Sequence, residues 1–147
     1  MNKRVLVSAC LLGVCCRYDG KGNPDDGLRA LLDRDDITLI AVCPEQLGGM
    51  TTPRLPSERM GERVLNRAGD DVTDHFQRGA EAALQIAKMY NCRSAILKER
   101  SPSCGCGKIY DGTFSGTLTE GNGITAELLI KEGIRIYGES HWNEDQL

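Results

Sequence analysis

Seven cysteines offer the most distinctive chemistry in this chain of 147 residues. They are Cys10, Cys15, Cys16, Cys43, Cys92, Cys104 and Cys106. An odd number of thiols cannot pair fully in disulfides, and secreted disulfide scaffolds are normally shorter and denser in cysteine. We therefore expect free thiols, and thiolates that converge on one pocket favour a soft metal centre: zinc, copper or an iron–sulfur cluster.

The spacing of these cysteines fits a structural zinc ribbon poorly, because a ribbon needs two close pairs of ligands. Adjacent side chains diverge, so only one of Cys15 and Cys16 is expected to face a shared metal, and the same crowding applies less strictly to Cys104 and Cys106. Three thiolates are therefore the expected number of metal ligands. An iron–sulfur cluster is the first choice for the metal centre, and zinc is the second. A cluster held by three thiolates keeps one iron open to an outside ligand, and that iron can act as a Lewis acid.

The elements that must position these thiols follow from the apolar pattern. Apolar runs typical of buried parallel strands occupy residues 5–9, 37–42, 95–97 and 134–137. Helical patterns lie between them at residues 28–33, 72–90 and 124–132. This alternation predicts an α/β fold, a single-domain three-layer sandwich with a mainly parallel, Rossmann-like sheet. Two long stretches, 44–71 and 101–123, are expected to be functional loops at the carboxyl ends of the strands.

Sulfur and polar side chains follow three of the predicted strands. Since the carboxyl ends of parallel strands share one edge of a sheet, residues about 90 apart in the chain are expected to meet there. The expected neighbours are Cys10, Cys16, Glu45, Ser101 and Cys104. A ligand pocket is therefore predicted at this edge.

Composition limits the class of protein and of partner. Hydrophobic residues make up 40% and charged residues 27% of the chain, as expected for one globular domain over residues 1–147. The net charge of −3 and the 5% aromatic content argue against duplex nucleic acid and against a row of base-stacking platforms. No apolar run is long enough to span a membrane. A monomer or weak homodimer is expected, although no long exposed apolar stripe indicates which of the two.

The first residues, Met1 to Cys16, imitate a short secretory signal. Removal of this segment would delete three cysteines and a predicted strand, and no small-residue processing site follows it. A cytoplasmic protein is therefore expected.

Several short motifs occur in order along nearly the whole chain. They are Ser-Ala-Cys-Leu-Leu-Gly at 8–13, Cys-Arg-Tyr-Asp-Gly at 16–20, Cys-Pro-Glu at 43–45 with Gly-Gly at 48–49, Thr-Pro-Arg-Leu-Pro at 52–56, Lys-Glu-Arg-Ser-Pro-Ser-Cys-Gly at 98–105 and Tyr-Asp-Gly-Thr-Phe-Ser-Gly at 110–116. With these motifs the sequence resembles the thiouracil desulfurases over about residues 4–139. The resemblance implies a non-redox enzyme with a 4Fe-4S cluster on three cysteines, which removes sulfur from a thiolated uracil.

The resemblance also assigns residues. Carried over by position, the cluster ligands are Cys10, Cys16 and Cys104. Cys15 and Cys106 lie outside the motif positions, and either could replace a neighbour or close the free site.

For the reaction, we hypothesise that the thiocarbonyl sulfur of 2- or 4-thiouracil binds the free iron and that water attacks the ring carbon. Glu45 is the candidate base and Ser101 orients water or substrate, while Ser8 and Ser103 bond the uracil edge. The plainer alternatives are that Glu45 caps a turn and that Ser101 and Ser103 serve the turn around Pro102.

Other residues are expected to be structural. Cys92 is interpreted as a small buried hydrophobic residue. Cys43 is interpreted either as another such residue or as a neighbour of the cluster. Arg54 and Arg59 are expected on a solvated loop, His75 and His141 on the surface, and Asp111 in a tight loop over the pocket. The rival function is a zinc or iron–sulfur module with a structural or sensing role and no turnover.

Overall fold

The computed structural model describes residues 2–147. In chain order the strands are β1 (Lys3–Ser8), β2 (Ile37–Val42), β3 (Ser57–Met60), β4 (Arg63–Asn66), β5 (Ser94–Leu97), β6 (Lys108–Tyr110), β7 (Leu118–Glu120) and β8 (Arg135–Gly138). The α-helices are α1 (Asp26–Arg29), α2 (Pro44–Leu47), α3 (Thr73–Met89) and α4 (Ile124–Lys131). Short 3-10 turns occupy Ala9–Leu12, Ala30–Asp33 and Glu144–Gln146.

A parallel sheet of four strands, in the order β2-β1-β5-β8, forms the centre of the fold. The chain passes from β1 to β2 on one side and then returns to β5 on the other side of β1. The strand order therefore reverses between β1 and β5, which is where open α/β sheets place their ligands. The α/β fold and its four parallel strands, predicted from the apolar runs, are confirmed.

Alternating side chains of β1 enter two different cores, because successive residues of a strand point to opposite faces of the sheet. Leu6 belongs to a buried cluster with Ala83 of α3 and Leu129 of α4. Val7 belongs to a second cluster with Leu28 of α1. Helices therefore cover both faces of the sheet, as the three-layer prediction requires.

Helix α2 is seated directly on α3 through two glycines. A Cβ atom at Gly79 would overlap the carbonyl oxygen of Pro44, and one at Gly48 would overlap that of His75. This close backbone approach requires glycine at both positions. It fixes the short helix that carries Glu45.

The stretches 44–71 and 101–123, predicted as long loops, each contain an antiparallel hairpin. The first is formed by β3 and β4 and the second by β6 and β7. Their strands are only three or four residues long and several of their residues are exposed, so no apolar run marks them in the sequence. Among residues 2–147, no helix is both long and apolar enough to cross a membrane.

Candidate functional site

A cavity of about 530 Å³ opens at the carboxyl ends of β1, β2 and β5, where the strand order reverses. Its volume falls within the range of about 300–1,000 Å³ that is typical of small-molecule sites. Its walls include the three predicted cluster ligands, the candidate base and the three serines: Ser8, Cys10, Cys16, Glu45, Ser101, Ser103 and Cys104.

The three motif cysteines reach the cavity from two loops. Cys10 lies in the 3-10 turn after β1, Cys16 follows in the same loop, and Cys104 lies in the loop after β5. All three are buried, with 7%, 2% and 4% of their surface exposed. Neither Cys15, which is exposed, nor Cys106 lines the cavity, so the expected divergence of Cys15 from Cys16 is confirmed.

Burial and mutual contact raise the pKa of two of these thiols, Cys16 and Cys104. Burial raises the pKa of Cys104 to about 12, and a hydrogen bond with Cys10 raises the pKa of Cys16 to about 11. Cys43 also lines the cavity, and its hydrogen bond with Cys16 raises its thiol pKa well above the ordinary value. Because thiols bind metals as thiolates, metal binding at this site must release protons.

The donor set fits a cluster better than a single ion. Within residues 2–147, no three side chains of His, Cys, Asp or Glu stand close enough together to hold one metal ion. Cys10, Cys16 and Cys104, which reach one cavity from two loops, would instead hold an iron–sulfur cluster, and this would supply an iron that acts as a Lewis acid.

Ser101 fixes the loop that carries Cys104. Its Oγ accepts hydrogen bonds from the backbone N–H groups of Ser103 (3.1 Å) and Cys104 (3.0 Å). The backbone N–H of Gly105 donates to the carbonyl oxygen of Ser101 at 2.9 Å. Ser101 therefore stabilises the turn around Pro102, which was the plainer alternative from the sequence. It also lines the cavity.

Glu45 lies in the first turn of α2 with its carboxylate held at both oxygens. Oε1 accepts from Arg54 Nε at 3.1 Å, and Oε2 accepts from Ser103 Oγ at 3.2 Å. The hydroxyl of Ser103 also lies 3.0 Å from that of Ser101 and 3.6 Å from the sulfur of Cys104. A continuous polar chain thus links the carboxylate of Glu45 to a cysteine of the site.

The side chain of Arg54 is buried, and the expectation that it lies on a solvated loop is wrong. Only 6% of its side chain is exposed. Besides Glu45, its guanidinium donates to the carbonyl oxygens of Thr51 (3.1 Å) and Cys16 (3.0 Å) and to Thr52 Oγ1 (3.0 Å). Arg54 therefore ties the carboxylate to the loop of Cys16.

Arg59 is buried as well, which corrects the same expectation. Its side chain is 8% exposed and pairs with Glu127 at 3.0 Å. It also donates to the carbonyl oxygens of Gly61 and Asn122, each at 2.8 Å. These contacts join the first hairpin to the start of α4. Arg59 does not line the cavity.

Ser8 closes the floor of the cavity between β1 and β5. It is 3% exposed, and its Oγ accepts a hydrogen bond from the backbone N–H of Lys98 at 2.9 Å. The ammonium of Lys98 is paired with Glu139 at 3.1 Å. The hydroxyl proton of Ser8 is not used by this bond.

The loop of residues 110–116 lies along the cavity, as the sequence suggested. Oδ1 of Asp111 accepts from the backbone N–H of Thr113 at 3.0 Å. Glu58, which the sequence did not single out for the site, holds the same loop: its Oε1 accepts from the N–H groups of Gly112 (3.0 Å) and Phe114 (3.1 Å). Glu58 was missed because its partners are distant in the chain.

The remaining singled-out residues lie away from the cavity. Cys92 is buried in the core beside α3, as interpreted. His141 is exposed and contacts Glu99 at 3.2 Å, while His75 is half-buried against the carbonyl oxygen of Gly48 at 2.8 Å. None of these three lines the cavity.

This chain is similar to known proteins over nearly its whole length. A family model described as 2-thiouracil desulfurase matches residues 5–141. The uncharacterized protein YbbK of Bacillus subtilis (strain 168) is 44% identical over 150 residues, which cover 95% of this chain and 98% of that protein. A solved structure described as the 4Fe-4S-dependent thiouracil desulfidase TudS is 45% identical, with a TM-score of 0.89, and the match covers 95% of this chain and 92% of that one.

Proposed function

The chain belongs to the 2-thiouracil desulfurase family, and we propose that it hydrolyses 2- or 4-thiouracil with a 4Fe-4S cluster held by Cys10, Cys16 and Cys104. The reaction replaces the thiocarbonyl sulfur by the oxygen of water and yields uracil and hydrogen sulfide, with no net electron transfer. The observation that supports this most is that three buried thiols and a carboxylate line one cavity.

The cluster, when bound, supplies a Lewis-acidic iron for the soft sulfur of the substrate. The three thiolates hold it from two loops on either side of the β1–β5 junction. Cys43 and Cys15 are not assigned as ligands.

Glu45 is the general base of this proposal. Its Oε2 accepts the proton of the water that attacks the thiolated carbon, and its Oε1 stays engaged with Arg54. Positioned general bases typically contribute about 10²- to 10⁴-fold in rate. The ion pair with Arg54 keeps the carboxylate at the cavity wall while the substrate binds.

The three serines of the cavity have different roles in this proposal. The hydroxyl of Ser103 contacts Glu45 and lies beside Cys104, which suits it to bond the edge of the uracil ring or to pass the proton onward. Ser101 contacts that hydroxyl and orients it. Ser8, whose proton is not used by its bond with Lys98, donates to a ring oxygen in this proposal.

We also propose that one domain, residues 1–147, carries the whole activity on a free thiolated pyrimidine. Neither duplex nucleic acid nor a membrane is a partner in this proposal, in keeping with the net charge of −3. We place the protein in the cytoplasm, where thiols stay reduced, as a monomer or weak homodimer.

The test is turnover by protein reconstituted under anaerobic conditions. We expect about four irons per chain and release of equal amounts of uracil and sulfide from 2- or 4-thiouracil. Glu45→Gln is expected to lower kcat by about 10²-fold or more at unchanged iron content. Glu127→Gln, which changes a carboxylate outside the cavity, is the matched control and is expected to keep the wild-type rate.

The rival is a metal module without turnover. One tightly bound zinc per chain and no iron supports that rival, as does an intact cluster that releases no sulfide from either substrate. If Glu45→Gln turns over at the wild-type rate, the enzyme proposal stands but the assignment of the base is wrong.

A further inference from the structure

Three aromatic side chains line the cavity, and one of them is held differently from the others. Tyr18 is 42% exposed, whereas Tyr110 and Phe114 are half-buried. Phe114 has a φ of 56°, in the left-handed region that bulky side chains rarely adopt. Of the three, it alone has this backbone conformation.

The strained conformation of Phe114 is maintained by contacts from another element. Glu58 of β3 accepts hydrogen bonds from the N–H groups of Gly112 and Phe114, at 3.0 and 3.1 Å. The guanidinium of Arg67 lies 5.6 Å from the centre of the Phe114 ring. Left-handed backbone of this kind persists only where surrounding contacts impose it, and it concentrates at functional sites.

We propose that Phe114 is the flat surface on which the pyrimidine ring of the substrate stacks, and that Glu58 is the positioning residue that holds it there. This inference rests on the proposed function, because it needs a planar heterocycle in the cavity. A small ring offers few polar atoms, so an aromatic wall is an efficient way to fix its plane. Stacking fixes the plane of the ring, and the ring can then only rotate within that plane. The polar side chains of the cavity restrict this rotation and so set the direction of the thiocarbonyl group.

The experiment compares two ligands with the same polar edge and different ring shape. Uracil is planar, whereas 5,6-dihydrouracil keeps both carbonyl and both N–H groups but is puckered. Titration calorimetry of the reconstituted holoprotein gives the Kd for each ligand without turnover. We expect the wild-type protein to prefer uracil.

In Phe114→Leu we expect the Kd for uracil to rise roughly five- to tenfold, the low end of the contribution of base–aromatic stacking. The Kd for 5,6-dihydrouracil should stay within roughly twofold, because stacking contributes little for a puckered ring. Leucine is as strained as phenylalanine at this φ, so the substitution removes the ring and its contact with Arg67 and adds no backbone strain. Phe114→Tyr should keep the wild-type preference.

Two further variants keep the inference testable if Phe114→Leu folds poorly. Glu58→Ala removes the acceptor for both loop N–H groups and should reduce the preference for uracil while Phe114 is still present. Tyr18→Leu removes an aromatic ring of the same cavity and should leave the preference unchanged. A preference that is absent in the wild type, persists in Phe114→Leu, or is lost in Tyr18→Leu overturns the inference.

Failure of the inference is distinguishable from failure of the proposed function. Sulfide release by the wild type together with an unchanged preference in Phe114→Leu refutes the stacking role alone. A wild type that binds uracil through Phe114 and releases no sulfide refutes the desulfurase proposal and supports the stacking role.

Discussion

Replacement of Arg54 by methionine tests whether Glu45 depends on the guanidinium that holds it. The change keeps much of the length and apolar volume of the side chain and removes its charge and donors. The carboxylate of Glu45 then loses its contact at 3.1 Å and keeps that from Ser103 at 3.2 Å. The carbonyl oxygens of Thr51 and Cys16 each lose a donor, at 3.1 and 3.0 Å.

The expected magnitudes follow from burial. Breaking a buried ion pair by removing one partner costs about 3–5 kcal/mol. Glu45 keeps 16% of its side chain exposed, so water partly replaces the lost donor and we expect a loss of about 3 kcal/mol in the free energy of unfolding. A displacement of the base by about 1 Å is enough to lower kcat by about 10²-fold.

The assay measures kcat and KM for 2-thiouracil per intact cluster, with iron content and urea unfolding in parallel. A positioning role lowers kcat and leaves KM nearly unchanged, because the base acts in the transition state and not in substrate binding. Arg54→Lys, which keeps the charge with a single donor group, should recover part of the rate.

Arg59→Met is the matched control, because the Arg59 side chain is similarly buried, contacts the carboxylates of Glu127 and Glu62 and two carbonyl oxygens, and lies outside the cavity. It should lose less stability, because its main partner Glu127 is 56% exposed, and it should keep its kcat. If Arg54→Met retains kcat within about threefold of the wild type at full iron content, or if Arg59→Met loses the same activity, then Arg54 does not position Glu45.

Three further variants test other parts of the site. Cys16→Ser should lower the iron bound on anaerobic reconstitution, whereas Cys15→Ser, at the exposed neighbouring thiol, should bind about four irons per chain; equal iron in both would contradict the ligand assignment. Gly79→Ala should destabilise the fold by about 1–3 kcal/mol in urea unfolding and lower kcat, because the added methyl group pushes α2 and Glu45 away; wild-type values of both would contradict the close contact. Ser101→Ala removes the acceptor of two backbone N–H groups and should make the cluster more labile, seen as faster loss of visible absorbance in air; an unchanged rate of loss would limit Ser101 to a role outside the loop.

The central sheet and the cavity were predictable because simple patterns encode them. Each parallel strand is an apolar run, since both faces of such a sheet are covered. The crossover rule then brings the carboxyl ends of β1, β2 and β5 together, and it therefore predicts from the sequence alone that Cys10, Glu45 and Cys104 surround one cavity.

The polar support of the cavity was not predictable in the same way. Arg54 stands between two prolines in a segment whose composition is that of a solvated loop, and its burial depends on Glu45 and on the loop of Cys16. Glu58 bonds to backbone groups more than 50 residues further along the chain. Contacts of this range leave no periodic signal, so they emerge only once the hairpins are packed on the sheet.

The pairing of β1 with β5 determines when, during synthesis and folding, the three proposed ligand thiols come together. Cys10 and Cys16 leave the ribosome early, whereas Cys104 joins them only after β5 has been synthesised and has paired with β1. A chain that ends before β5 holds two of the three proposed ligand thiols, Cys10 and Cys16, and lacks Cys104. The proposed cluster site is therefore complete only when the sheet has formed, because the pairing of β5 with β1 brings the loop of Cys104 beside that of Cys10.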